Sequence, residues 1–241
     1  MILYQLIFFL ILNFLIFKLL LNSNSKWIPV DYPNKKKIHK KQTKLLGGII
    51  FLINLIFYFI LKTFSESIID LKIENIFFIL TIFIVSYIDD FGLLKVVERI
   101  ALYIILLSTF LVLNFDLQIY FVTFKTLGLT FDFQNSSLIL TLFCIFSFMN
   151  ACNLFDGYNL QISNYFIYLV MVFIVFYNLF DLLLFLPFLF YFHFYNKNGK
   201  IFMGNSGTFL ISFLLGILFI YSYKNKIISV EEIILLMFLP G

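Results

Sequence analysis

Residues 75–94 read NIFFILTIFIVSYIDDFGLL, an apolar run that ends in two adjacent carboxylates, Asp89 and Asp90. Ionised groups beside hydrocarbon cost several kcal/mol unless they are paired, solvated or used. The run is long enough for a membrane helix, and its polar foot calls for a function.

The same pattern recurs along the chain. Hydrophobic residues make up 62% of the sequence and charged residues only 12%, with 36 Phe in 241 residues. One soluble core cannot hide that much apolar surface. A polytopic, all-α integral membrane protein is expected, with room for roughly nine spans of about 20 residues each in a single domain over 1–241. Apolar runs at about 2–21, 45–61, 75–88, 100–113, 137–151, 163–180, 182–195, 208–223 and 230–241 are predicted to be helices. No basic segment precedes the first run and no small-residue cleavage site follows it, so it reads as a membrane helix and not as a signal peptide. Residues 114–136 alternate apolar and polar side chains around Leu127-Gly128, which predicts a hairpin outside the hydrocarbon.

The net charge of +4 is a statement about topology and gives no reason to expect nucleic acid, because the basic residues sit in loops. One set of alternating loops carries Lys26, Lys35, Lys36, Lys37, Lys40, Lys41, Lys44, Lys95, Arg99, Lys197 and Lys200, against only Lys62, Lys72, Lys125, Lys224 and Lys226 in the other. The richer face is predicted to be cytoplasmic, with the N-terminus outside. Four polar stretches then share that face: DYPNKKKIHKKQTK (31–44), YIDDFGLLKVVER (87–99), NACNLFDGYN (150–159) and NKNGKIFMGNSGT (196–208). A one-sided cluster of carboxylates, amides and lysines suits an anionic, phosphorylated substrate.

Each stretch also has a plainer reading. The lysines could only anchor the loop to anionic lipid, although they lead into Gly47-Gly48 at a helix start, where bare backbone favours phosphate. Carboxylates at the C-terminal end of a helix face its negative pole; magnesium with substrate phosphates, or Lys95 and Arg99, would offset that. Asn150 and Asn153 share a helix face, joined by Asp156 if the helix continues, either as polar glue between helices or as a site. Gly204 to Thr208 precede the eighth helix and suit an N-cap, a diphosphate contact or both. Cys144 and Cys152 lack metal or disulfide spacing, His193 reads as a satisfied polar group, and Glu231-Glu232 open the last helix.

In this order the four stretches resemble the polyprenyl-phosphate N-acetylhexosamine-1-phosphate transferases of the MraY and WecA kind. DYPNKKKIHKKQTKLLGG looks like the first cytoplasmic loop of that family, IDDFGLLKVVER like its double-aspartate motif, NACNLFDGYN like N-x-x-N-x-x-D-G, and FMGNSGT like F-x-G-D-x-G-S. The resemblance implies a multi-pass protein of the bacterial plasma membrane with Mg2+ as cofactor. It would transfer a sugar-1-phosphate from a UDP-N-acetylhexosamine to undecaprenyl phosphate, releasing UMP, for a cell-wall or surface-polysaccharide precursor, and it leaves room for a homodimer. Carried over, Asp89 and Asp90 are the catalytic pair that positions or deprotonates the lipid phosphate, and Arg99 binds phosphate. Asn153 and Asn205 hold the metal, Lys40 and Lys41 contact the nucleotide phosphates, and Asp156 and Asn159 lie near the nucleotide. The chain departs from the pattern in having Lys44 for Pro, Leu160 for the second Gly of D-G-x-x-G and Asn205 for the metal-binding Asp. It also stops at Leu239-Pro240-Gly241, ahead of the histidine-rich last loop of the family. A catalytically impaired homologue that binds lipid phosphate or partner proteins is the competing expectation. A transporter is disfavoured, because the charges gather at one face and not at the bilayer midplane.

Overall fold

A computed structural model describes residues 2–33, 41–62 and 73–238, and within these residues it contains nine α-helices. They are α1 (Ile2–Asn22), α2 (Gly47–Lys62), α3 (Ile73–Asp90), α4 (Val96–Leu113), α5 (Ser137–Phe155), α6 (Gln161–Tyr177), α7 (Leu186–Lys197), α8 (Gly204–Lys224) and α9 (Val230–Phe238). Four of them, α1, α4, α5 and α8, are long and apolar enough to cross a membrane. Within those candidate spans, 78% of the α8 window is buried by protein but only 17% of the α1 window, so α8 is a core helix and α1 turns most of its apolar surface outward. A soluble protein would hide such a surface; in a bilayer it needs no cover.

The expected helices form, with three local differences. Residues 180–185 make a 3-10 turn before α7, whose first turn accommodates Pro187, a residue that fits where no helical N–H is needed. The fifth helix continues through Cys152 to Phe155, and the eighth begins at Gly204, so GNSGT forms its first turns. Short strands also appear: β1 (Val30–Asp31), β2 (Thr43–Leu45), β3 (Phe121–Phe124), β4 (Leu129–Asp132) and β5 (Ile201–Phe202). The β3–β4 pair is the expected hairpin, antiparallel from Phe121↔Asp132 to Phe124↔Leu129, with Gly128 at φ +64 in its turn.

The chain divides into two compact units, one formed by Met1–Leu93 with Asn153–Leu210 and the other by Leu94–Cys152 with Ile211–Gly241. In the first, β2 pairs antiparallel with β1 and parallel with β5, in the register Lys44↔Ile201. The strands that flank the first polar stretch, β1 and β2, are thereby held beside the segment that leads into α8. Phe17 stacks on Tyr195 at 5.4 Å, and Phe51 meets Phe188 at 5.3 Å. Asn13 and Asn54, both fully buried, exchange hydrogen bonds of 2.7 and 3.0 Å across α1 and α2, and each also donates to a carbonyl of its own helix. This closed amide pair fixes the register of two otherwise featureless apolar helices. His193 lies 3.3 Å from the Ser163 hydroxyl, which is the satisfied polar role its sequence suggests.

In the second unit, the Tyr223 hydroxyl donates to the Phe121 carbonyl and accepts the Thr123 N–H, fastening the hairpin to α8. Glu231 accepts from the N–H and hydroxyl of Thr126, and Ser229 with Glu232 forms a capping box at the start of α9. Both cysteines are free.

Candidate functional site

α3 ends where its apolar run ends. Gly92, at φ +70, donates its N–H to the Asp89 carbonyl at 2.8 Å and closes the helix. The carboxylates released there meet the first turn of α8. Asp90 accepts the backbone N–H of Asn205 at 2.6 Å and that of Ser206 at 3.1 Å, one on each oxygen. Asp89, which is buried, accepts from the side-chain amide of Asn205 at 2.7 Å.

This arrangement answers the problem posed by the sequence. The carboxylates leave the negative end of one helix and are received by the positive end of another, where free N–H groups and the macrodipole favour an anion. Asp90 therefore serves as the N-cap of α8, supplied from 115 residues away in the chain. Burial nevertheless pushes the Asp90 carboxyl up to about 6, with the negative charge of Asp89 adding to the shift and hydrogen bonds from Ser206 and Asn205 opposing it.

Small residues make the junction tight. Gly204 sits at φ +74, and a Cβ there would lie 2.8 Å from Asp90 Oδ2. A Cβ on Gly48 would fall 2.5 Å from the Gly207 nitrogen, and one on Gly207 would fall 2.9 Å from the Gly48 nitrogen, so α2 and α8 start in backbone contact. The Gly48 N–H donates to the Met203 carbonyl at 3.1 Å. The glycine pair that looked suited to phosphate is thus used for packing against the α8 start.

The third stretch closes the group. Thr208, buried on α8, donates to Asn153 Oδ1 at 3.0 Å. Asp156 follows α5, and burial, followed by repulsion from Asp90, holds its carboxyl well above the ordinary range. The turn continues to Leu160, which adopts φ +72, a backbone that glycine takes without strain. Its N–H is accepted by Asn196 Oδ1 at 2.6 Å, and Asn159 lies exposed beside Gly199.

One unit therefore brings together Asp89, Asp90, Asn153, Asp156 and Asn205, while Asn159 belongs to the same unit and lies by Gly199. Lys41 is exposed just ahead of β2, and Lys40 lies outside the described residues. Lys44 is occupied elsewhere: its ammonium donates to the Leu21 and Ser23 carbonyls at 2.7 and 2.6 Å, covering orphan carbonyls at the end of α1. Arg99 belongs to the first turn of α4 in the other unit. No separate signal marks Thr208 or Asn196 as side chains that join stretches, because hydrogen-bond partners 36 to 55 residues apart leave no trace in local pattern.

Residues 73–223, more than half of the chain, match the family described as glycosyl transferase family 4. The chain belongs to that family. No curated protein matches it. Glycosyl transferase family 4 membership, with four helices able to cross a membrane, establishes a membrane-type transferase for sugar-phosphate transfer to a lipid carrier in the broad sense. In this family 4 chain, the matched span includes the carboxylate pair, the Asn153–Asn159 segment and the start of α8, the elements that the structure brings together.

Among the described residues no group of three or more His, Cys, Asp or Glu is arranged for a metal. The polar groups near the α8 start are the carboxylates of Asp89, Asp90 and Asp156 and the amides of Asn153 and Asn205; Asn153 Oδ1 accepts from Thr208, and Asn205 gives its amide N–H to Asp89. Carboxylate and amide oxygens suit a hard divalent cation, and burial, with repulsion between the carboxylates adding to it, is what raises Asp90 and Asp156.

Proposed function

We propose that this protein transfers N-acetylhexosamine-1-phosphate from a UDP-sugar to undecaprenyl phosphate, releasing UMP, on the cytoplasmic face of the bacterial plasma membrane. The observation that carries the proposal is the docking of Asp89 and Asp90 onto the α8 N-terminus beside Asn153 and Asp156, in a family 4 chain. The excess of Lys and Arg in one set of loops supports an N-terminus outside.

In the transfer, an oxygen of the lipid phosphate attacks the phosphorus that bears the sugar. A new P–O bond forms to the lipid phosphate as the P–O bond to UMP breaks, and the electron pair leaves on the phosphate of UMP. Both reactants are anions, so the site must orient them in line and lower their mutual repulsion. Asp89 is held by Asn205 and Asp90 by two backbone amides; in the proposed reaction the pair would position the acceptor phosphate and take its proton. Asp156 and Asn159 would lie by the nucleotide, and Lys41 and Lys40 would neutralise its diphosphate. A bound Mg2+, held by Asn153, Asn205 and the neighbouring carboxylates, would supply charge neutralisation at the diphosphate.

A second reading rests on one contact. Where the family has a metal-binding Asp, Asn205 here donates its amide to Asp89, so one negative charge is absent and one carboxylate oxygen is already engaged. That favours a homologue that binds lipid phosphate without turnover.

The deciding assay is Mg2+-dependent UMP release from UDP-N-acetylglucosamine and undecaprenyl phosphate, by membranes carrying the natural chain, Asp89→Asn or Asn205→Asp. Release by the natural chain that Asp89→Asn abolishes supports the transferase and sinks the second reading. Release unaffected by Asp89→Asn overturns the assigned role of the pair. Silence in the natural chain with activity in Asn205→Asp identifies the missing charge as the cause, and silence in both favours the non-catalytic homologue.

A further inference from the structure

The side chain of Asn196 is buried, and both its functional groups are spent on backbone. Its oxygen accepts the Leu160 N–H at 2.6 Å, and its Nδ2 donates to the Ile201 carbonyl at 2.9 Å. The two partners belong to different polar stretches. Leu160 closes the turn that carries Asp156 and Asn159, and the Gln161 N–H returns to the Tyr158 carbonyl at 3.3 Å. Ile201 begins β5, which pairs with β2 and runs within three residues into Gly204 and Asn205.

The tie is specific to an amide at this place. A left-handed residue such as Leu160 turns its N–H away from the helix it precedes, and the first N–H groups of a helix have no partner within it. Only a side chain with an acceptor and a donor on one planar group meets both the N–H and the strand carbonyl. A carboxylate would oppose the carbonyl, and an alkyl group would leave two buried polar groups unpaired. The Gly199 N–H also bonds back to the Asn196 carbonyl at 2.9 Å, and the Gly199 carbonyl lies 3.3 Å from the Thr43 hydroxyl, so the loop between α7 and β5 is anchored on three sides.

We infer that Asn196 is a positioning residue: through the Leu160 N–H and the Ile201 carbonyl it holds the Asp156–Asn159 turn in register with the strand leading into α8. It touches no reacting atom. Its effect is on the distance between the groups assigned to the nucleotide and those assigned to the acceptor phosphate. In this it rests on the proposed transfer and deepens it, because loosening the tie should weaken use of the UDP-sugar and spare the lipid phosphate.

The test uses the full chain in detergent micelles, as natural protein and as Asn196→Ala, with Asn196→Ser as the second variant should the first not accumulate. Hydrogen exchange over residues 156–161 is read by mass spectrometry, together with KM for each substrate. The tie predicts exchange in that segment faster by about tenfold or more, with α8 protected as before. It also predicts a KM for UDP-N-acetylglucosamine raised about tenfold and a KM for undecaprenyl phosphate unchanged within about twofold. A merely structural role would lower the active fraction, reducing kcat while leaving both KM values alone, and that result overturns the inference. Unchanged exchange over 156–161 overturns it as well. If the natural chain shows no turnover, the transfer reading fails, and the exchange measurement alone decides whether Asn196 holds the turn.

Discussion

Leu160 offers the sharpest test of the backbone geometry. It stands at φ +72 and ψ −19, third in the turn closed by the Gln161 N–H and the Tyr158 carbonyl. An L-residue with a Cβ pays about 1–2 kcal/mol in that region, and glycine pays nothing there. Elsewhere glycine is the poorer residue by about 0.5–1 kcal/mol relative to alanine, because it loses more freedom on folding. Leu160→Ala and Leu160→Gly remove nearly the same packing from a half-buried side chain, so their difference isolates the backbone term. The two effects oppose, and the strain is the larger: Leu160→Gly should be the more stable of the pair by about 1 kcal/mol, the reverse of the usual order. The assay is reversible unfolding of the purified chain in mixed micelles, comparing midpoints at constant slope. Alanine equal to or more stable than glycine would refute a left-handed Leu160 and, with it, the geometry that offers the residue 160 N–H to Asn196.

Two further outcomes follow from the site. Gly48→Ala places a methyl against the Ser206 hydroxyl, 2.5 Å from the Gly207 nitrogen and 2.6 Å from the Ser206 carbonyl carbon, so backbone must yield as well as the side chain. Its thermal midpoint should fall by the equivalent of about 1–3 kcal/mol, and an unchanged midpoint would contradict the α2–α8 contact. The Asp90 carboxyl, near 3.8 when unfolded, titrates at about 6 in the folded chain. Between these values the folded state holds more protons than the unfolded state, so stability contributed through Asp90 falls as pH rises from about 4 to 6 and is level above. Asp90→Asn should flatten the part of that slope belonging to this residue, leaving the part due to Asp156, which shifts in the same direction. Unfolding midpoints at pH 4.5 and 7 measure it, and an identical slope in both proteins would refute the assignment.

The membrane-type helical character was legible in the sequence because it depends on composition and run length, which no tertiary contact can overrule when apolar residues so outnumber the rest. The hairpin at 121–132 was legible for a similar reason, since alternation about a Gly turn is a local signal. The grouping of Asp89, Asn153, Asp156, Asn159 and Asn205 was legible only through family likeness. Helix ends were misjudged where polar residues continue a helix: Asn153 is inside α5 and Asn205 inside α8, because their amides find partners in Asp89 and Thr208 that local propensity does not know.

What the sequence determined alone is therefore the class of solvent this chain meets and, among the described residues, the number and rough extent of the helices. Only the tertiary structure decided what the polar groups are bonded to. Asp90 could be read as an isolated charge until the α8 N-terminus was found against it. Gly47-Gly48 could be read as a phosphate loop until Met203 and Gly207 were found filling the space, and the ammonium of Lys44, one of the loop lysines, was found on the end of α1. The physical reason is the same in each case: a buried charge, donor or bare backbone must be satisfied by something, and the sequence states the need without stating which distant segment meets it.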